Sequence, residues 1–165
     1  MTIADAPARL ATAADASLRW HPDGPYSLQQ TLGTLLRGTG DPSFSFRADG
    51  LWMAFTTPDG PVTLRLTAAG GGGAGGGGAG GGPEVAVDAQ AWGPGSAAGL
   101  AGVPRLLGAD DDWTAFDEPL FHATLPRMVR DARRRNLAVR LPSTGRVVDC
   151  LVPTILEQKV TVIEA

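Results

Sequence analysis

Apolar residues occupy every second position in several short runs, which is typical of strands that bury one face. In the run 62–67, three aliphatic residues alternate with two threonines and an arginine. The dipeptide Asp49-Gly50 separates two other runs and indicates a hairpin turn. The predicted strands are 17–20, 44–47, 51–57, 62–67 and 84–92. We expect them to form an antiparallel meander with one buried face.

Apolar residues recur at helical spacing between the first two predicted strands and again after the last one. Ser27 is a candidate N-cap for a first helix, and residues 95–107 predict one or two short helices. Residues 119–136 predict a longer helix that is interrupted or kinked near Pro126. The side of this helix that we expect to face the core consists of Leu120, Leu125, Met128, Val129 and Ala132. The predicted fold class is α+β, an antiparallel sheet with helices on one face.

A glycine tract at 70–82, interrupted by two alanines, separates the last two predicted strands. No Gly-Lys-Ser/Thr sequence follows the tract, so a phosphate-binding loop is disfavoured. A segment with so little side chain to bury is expected to be a flexible hairpin loop. Residues 1–16 predict a disordered leader, and residues 17–138 predict an amino-terminal α+β domain that contains the glycine-rich loop.

The segment 139–165 changes to a helical pattern and predicts a second unit. Ser143 or Thr144 can cap a helix in which Pro153 produces a kink or starts a new helix. The apolar positions on one face of this helix are Val147, Val148, Leu151, Val152, Ile155 and Leu156. Because such a face needs a partner, we expect the first helices of an all-helical domain that is truncated at residue 165.

Composition and charge narrow the class of protein. The formal net charge of -3 does not indicate a nucleic-acid binder, although seven of the 14 cationic residues lie within 127–146. Cys150 is the only cysteine, which excludes an internal disulfide and a zinc site built from cysteines. His21 and His122 lack ligand spacing, so we expect no metal and no cofactor. Without a signal peptide or an apolar run of about eighteen residues, the expectation is a soluble, cytoplasmic protein with no membrane partner.

Two stretches of the chain resemble one family of DNA-repair enzymes. The sequence LRWHPDGPYSLQQTLGTL at 18–35 is similar to the amino-terminal start of 3-methyladenine DNA glycosylase II. The sequence VRLPSTGRVVDCLVPTILEQKVTVIEA at 139–165 resembles the beginning of the catalytic helix-hairpin-helix domain of that family. The resemblance implies an amino-terminal domain with an antiparallel sheet backed by helices, followed by an all-helical catalytic domain.

The resemblance also implies a partner and a DNA-binding edge. Enzymes of this family flip a damaged base out of double-stranded DNA and cleave its N-glycosidic bond, which requires a wedge in the gap and a carboxylate near the sugar. In the family a Gln-Leu pair lies at the minor groove, and the Leu is the wedge. The implied DNA-binding residues here are Gln158, Lys159 and Thr161. Lys159 departs from the apolar wedge, and two roles remain open for its ammonium, an approach to a phosphate or an extension into the groove.

Two further departures concern the chemistry. Thr34 stands where the family can present an aromatic side chain toward the base pocket. The glycine-rich hairpin turn and the catalytic Asp of the family are expected beyond residue 165. Asp149 and Glu157 are not substitutes by position, so we assign no catalytic residue within this chain.

Three interpretations follow from these patterns. The first is the front portion of a base-excision glycosylase for alkylated bases, inactive as this truncated chain. The second is a non-catalytic DNA-binding or interaction module that uses the arginines of 127–146 together with Lys159. The third is a fragment without activity that exposes the apolar face of the last helix and self-associates through it.

Overall fold

Five strands form one antiparallel sheet in the computed structural model, which describes residues 13–38, 40–69 and 86–158. The strands are β1 (Ala16–Trp20), β2 (Phe44–Arg47), β3 (Gly50–Thr57), β4 (Gly60–Ala69) and β5 (Ala86–Trp92). Their order in the sheet is β1-β5-β4-β3-β2. The predicted meander is confirmed for β2 to β5, and β1 extends the sheet by pairing with β5. The glycine tract 70–82 lies outside the described residues, as do residues 1–12 of the predicted leader.

Short-range turn chemistry explains the two hairpins that involve β3. Arg47 pairs with Gly50 across the first turn. Gly50 has a φ of +137°, and a Cβ at this position would lie 2.7 Å from the carbonyl oxygen of Leu66. A side chain there would therefore be strained and would collide with β4. At the second turn, Thr57 pairs with Gly60 and its hydroxyl donates to the Gly60 carbonyl at 2.9 Å.

The two faces of the sheet have opposite character. The inner face is completely apolar at its centre and contributes Leu51, Met53, Val62, Leu64, Leu66, Val87, Ala89 and Ala91 to the core. On the outer face, the indoles of Trp52 and Trp92 stack across β4 with ring centroids 5.6 Å apart. Arg19 and Asp88 form a bidentate ion pair on the same face. The alternation read from the sequence thus selects the buried face correctly.

The other regular elements are helices, and the first three of them cover the inner face of the sheet. The helices are α1 (Leu28–Leu32), α2 (Ser96–Ala101), α3 (Val103–Leu106), α4 (Thr114–Asp117), α5 (Pro119–Thr124), α6 (Arg127–Arg135) and α7 (Val147–Glu157), with a 3₁₀ turn at Gly33–Leu35 after α1. Ser27 is the N-cap of α1, as predicted, and accepts from the Gln30 N–H at 3.3 Å. Side chains from α1, α2 and α3 complete the core, and the α+β fold class is confirmed.

The prediction of a core-facing side on residues 119–136 is wrong. Pro126 divides the segment into α5 and α6, and Leu120 and Met128 are 81% and 78% exposed. The two helices lie against a small aromatic cluster instead, in which Phe116 contacts Trp113 and Phe121 edge to face. Among the described helices, none combines the length and the apolarity needed to cross a membrane.

Candidate nucleic-acid interface

The helix predicted in the segment 139–165 is present as α7, with Pro153 inside it. The predicted caps are wrong in detail, because Arg146 is the N-cap residue and no side chain caps the helix. Gly145 has a φ of +67° and turns the chain just before α7. This turn directs the Thr144 hydroxyl to the Arg146 N–H, at 3.2 Å, rather than to the first turn of the helix.

The apolar face of α7 is open to solvent in the described structure. Val148 is 70% exposed, and Leu151 and Ile155 are 51% and 53% exposed. Val147, Val152 and Leu156 are also at least half exposed. An apolar stripe of this length is unusual on a surface and marks a position for a partner or for self-association.

Two arginines connect α7 to the sheet domain. The Nη2 atom of Arg37 donates to the Cys150 carbonyl oxygen and to the Thr154 hydroxyl, both at 3.0 Å. The guanidinium of Arg146 lies over the Phe55 ring on β3, 4.0 Å from its centroid. Burial against the sheet lowers the pKa of Arg146, an effect that the nearby Asp149 opposes. These contacts hold the amino-terminal half of α7 close to the sheet.

The segment that precedes α7 lies against the first domain. The Arg140 N–H donates to the hydroxyl of Thr31 at 3.2 Å, and Thr31 is completely buried. The Arg140 guanidinium also donates to the carbonyl of Asp23, at 3.2 Å. The Ser27 N–H donates to the carbonyl of Ala138 at 2.9 Å. Residues separated by more than a hundred positions therefore meet here.

The residues that the resemblance assigns to DNA are only partly described. Gln158 is exposed at the carboxyl end of α7, where its N–H donates to the carbonyl of Ile155 at 3.3 Å. Lys159 and Thr161 lie outside the described residues. Thr34 is exposed and donates its hydroxyl to the Thr31 carbonyl at 2.9 Å. Asp149 is exposed in the first turn of α7.

Three of the seven arginines of 127–146 pair with carboxylates, and all three lie on α6. Arg133 forms a bidentate ion pair with Asp117 at 2.9 and 2.6 Å and lies over the Trp113 ring, 4.2 Å from its centroid. A hydrogen bond from Arg133 lowers the pKa of Asp117. On α6, Asp131 pairs with Arg134 and with Arg127. Within the described ranges, the two arginines of α6 that form no ion pair are Arg130 and Arg135.

Sequence reasoning missed the roles of Arg37 and Arg146. Each acts on a residue that is distant in the chain, Cys150 in one case and Phe55 in the other. No local pattern distinguishes them from ordinary surface arginines. In the part of the chain that the structure describes, no group of three or more His, Cys, Asp or Glu side chains is arranged to hold a metal ion.

We compared the chain with known protein families, curated proteins and solved structures. No protein-family model, no curated protein and no solved structure matches the chain.

Proposed function

We propose that this chain is the amino-terminal part of a DNA glycosylase that excises alkylated bases from double-stranded DNA in the cytoplasm. The observation that carries the proposal is the contact between the two stretches that resemble the family. Residues 18–35 and 139–165 are separated by more than a hundred positions, yet Arg140 binds both Thr31 and Asp23. A contact between these two stretches is expected if both belong to one fold of the family.

In the proposal, the described residues bind DNA, and cleavage of the N-glycosidic bond depends on other residues. In the proposal, the Gln158 amide approaches base edges at the minor groove, because it is exposed at the end of α7. Lys159 supplies a cation for a backbone phosphate. The catalytic Asp belongs to the part of the family pattern that these 165 residues do not match. The apolar face of α7 is the surface on which the remaining catalytic helices would pack.

Base release from alkylated DNA tests the proposal. The purified 165-residue chain is incubated with duplex DNA that carries labelled methylpurines, beside a fusion in which a helix-hairpin-helix glycosylase domain continues from residue 165. We expect no release from the chain alone and release from the fusion. As a control, the same fusion with its catalytic Asp changed to Asn is expected to be inactive.

Two results would contradict this assignment. Excision by the chain alone would mean that a catalytic residue lies within these positions. A fusion that folds but releases no base would remove the glycosylase proposal. The nucleotide sequence after the codon of Ala165 is a second test, because the proposal expects it to encode, in some frame, a helix, a glycine-rich turn, a second helix and an Asp.

One observation favours a second candidate function, a non-catalytic DNA-binding module. Five arginines lie on α6, and Arg130 and Arg135 among them form no ion pair within the described residues. A mobility shift at low salt tests this candidate, with Arg130→Gln/Arg135→Gln as the variant. If the module binds DNA through these side chains, the salt slope of the binding constant falls in the variant. Absence of any shift at low salt removes the candidate.

A further inference from the structure

We infer that Arg37 is a positioning residue that sets the direction of α7 relative to the sheet, and through α7 the place of Gln158. The inference rests on the proposed function, because it concerns the DNA edge assigned there. Arg37 lies between the 3₁₀ turn and β2, on the sheet side of the contact. Its Nη2 atom reaches two acceptors on α7, the Cys150 carbonyl and the Thr154 hydroxyl, each at 3.0 Å.

Arg37 binds α7 beside the turn that lacks one backbone hydrogen bond. Pro153 has no N–H, so the carbonyl of Asp149 has no helical donor. The adjacent Cys150 carbonyl accepts from the Thr154 hydroxyl at 2.7 Å and from Arg37. A charged donor at this point adds a strong hydrogen bond to the turn and joins the turn to the sheet domain.

The apolar side of α7 is exposed, so packing on that side does not fix the orientation of the helix. Its polar contacts therefore largely determine this orientation. Leu151 and Ile155 on that side are half exposed. The second connection, Arg146 on Phe55, lies at the amino-terminal end of the helix. Gln158 is twelve residues from Arg146, roughly 18 Å along a helix axis. Without Arg37, the polar contacts left between α7 and the sheet among the described residues lie at one end of the helix, and a rotation about that end moves Gln158 more than any other described residue of α7.

Distance measurements between spin labels test this inference on the whole chain. In a Cys150→Ser background, cysteines are introduced at Ser17, which is exposed on β1, and at Gln158, and both carry nitroxide labels. With Arg37 present we expect one narrow distance distribution. Arg37→Ala is expected to broaden it by several ångström and to shift its mean, and Arg37→Lys is expected to restore part of the narrow distribution. The matched control is Arg47→Ala, an exposed arginine that contacts Ser45 and not α7.

An unchanged distribution in a folded Arg37→Ala chain overturns the inference. If that variant does not fold, Thr154→Val removes one of the two acceptors and replaces the first variant in the test. We expect a smaller broadening from Thr154→Val, and no change from it also overturns the inference. Where both single variants fold, the double variant should be no broader than Arg37→Ala alone, since both remove the same contact. The readout does not involve base excision, so failure of the glycosylase proposal and failure of this inference give different results.

Discussion

At the scale of single residues, two ion pairs of the same geometry differ in the burial of their arginine. Arg133 and Asp117 form a bidentate pair whose arginine side chain is 9% exposed, whereas Arg19, paired with Asp88, is 60% exposed. Hydrogen bonds from the arginines lower the pKa of both carboxyl groups. When a buried cation loses its partner, the free-energy cost of removing it from water is no longer offset by an ion pair. An exposed cation keeps its contact with water and avoids this cost.

We therefore predict that Asp117→Asn destabilises the fold by about 1 to 2 kcal/mol near neutral pH, because Arg133, buried against Trp113, loses its hydrogen-bonded counter-charge and keeps only the longer-range attraction of Asp111. The pKa of Asp117 is lowered in the folded chain. Its stabilising contribution is thus complete above the unfolded pKa of about 3.9 and is lost as the pH falls through the folded value. Urea unfolding of both proteins between neutral and acidic pH measures the difference.

Asp88→Asn is the matched control, and its effect is expected to be smaller because its arginine is solvent-exposed. The gap between wild type and Asp117→Asn should close at acidic pH, where the wild-type carboxyl group is also neutral. A gap that stays constant with pH would show that the loss comes from packing rather than from the ionised carboxylate.

At the scale of elements, local signals predicted the strands well and the surface helices poorly. The turn at Asp49-Gly50 and the alternation within β4 depend on neighbours in the chain, and both are present as predicted. Met128 has the spacing of a core residue in α6, yet it is 78% exposed. Its helix is attached through Arg133, Asp117 and Trp113. That attachment is polar and aromatic, and apolar periodicity gives no indication of it.

The exposed face of α7 leads to a prediction about association. Leu151 and Ile155 are one helical turn apart and both are half exposed. Because burial of this face in a second copy would remove apolar surface from water, the chain is expected to associate as its concentration rises. Size-exclusion chromatography with light scattering measures this association. Leu151→Gln/Ile155→Gln is expected to shift the chain toward the monomer.

Met128→Gln provides the control for this experiment, since Met128 is a single exposed apolar residue on α6. It should leave the association unchanged. A wild-type chain that stays monomeric at all accessible concentrations would contradict the prediction and would mean that α7 tolerates an exposed apolar face.

At the scale of the whole molecule, the contacts between residues distant in the chain could not be predicted from the sequence. The resemblance assigned Gln158 to the DNA minor groove, and this assignment stays a prediction, whereas the structure gives only its position at the end of α7. The residues that hold α7 in place, Arg37 and Arg146, act over distances in the chain that no local motif encodes. The same is true of Arg140, whose N–H meets the buried hydroxyl of Thr31. A composition dominated by arginine among the cations gives no reason to select these three.

The last prediction concerns the hydrogen bond between Arg140 and Thr31, which joins the stretches 18–35 and 139–165. Thr31→Val keeps the volume but removes the acceptor of the Arg140 N–H, and leaving this partly buried donor unsatisfied is expected to cost about 1 kcal/mol. Thr34→Val removes an exposed hydroxyl of the neighbouring turn, and a change of about 0.5 kcal/mol or less is expected. Urea unfolding followed by tryptophan fluorescence and by far-ultraviolet circular dichroism measures both. If Thr31→Val costs no more than Thr34→Val, this contact does not bind the segment before α7 to the sheet domain, and the main support for the glycosylase proposal is lost.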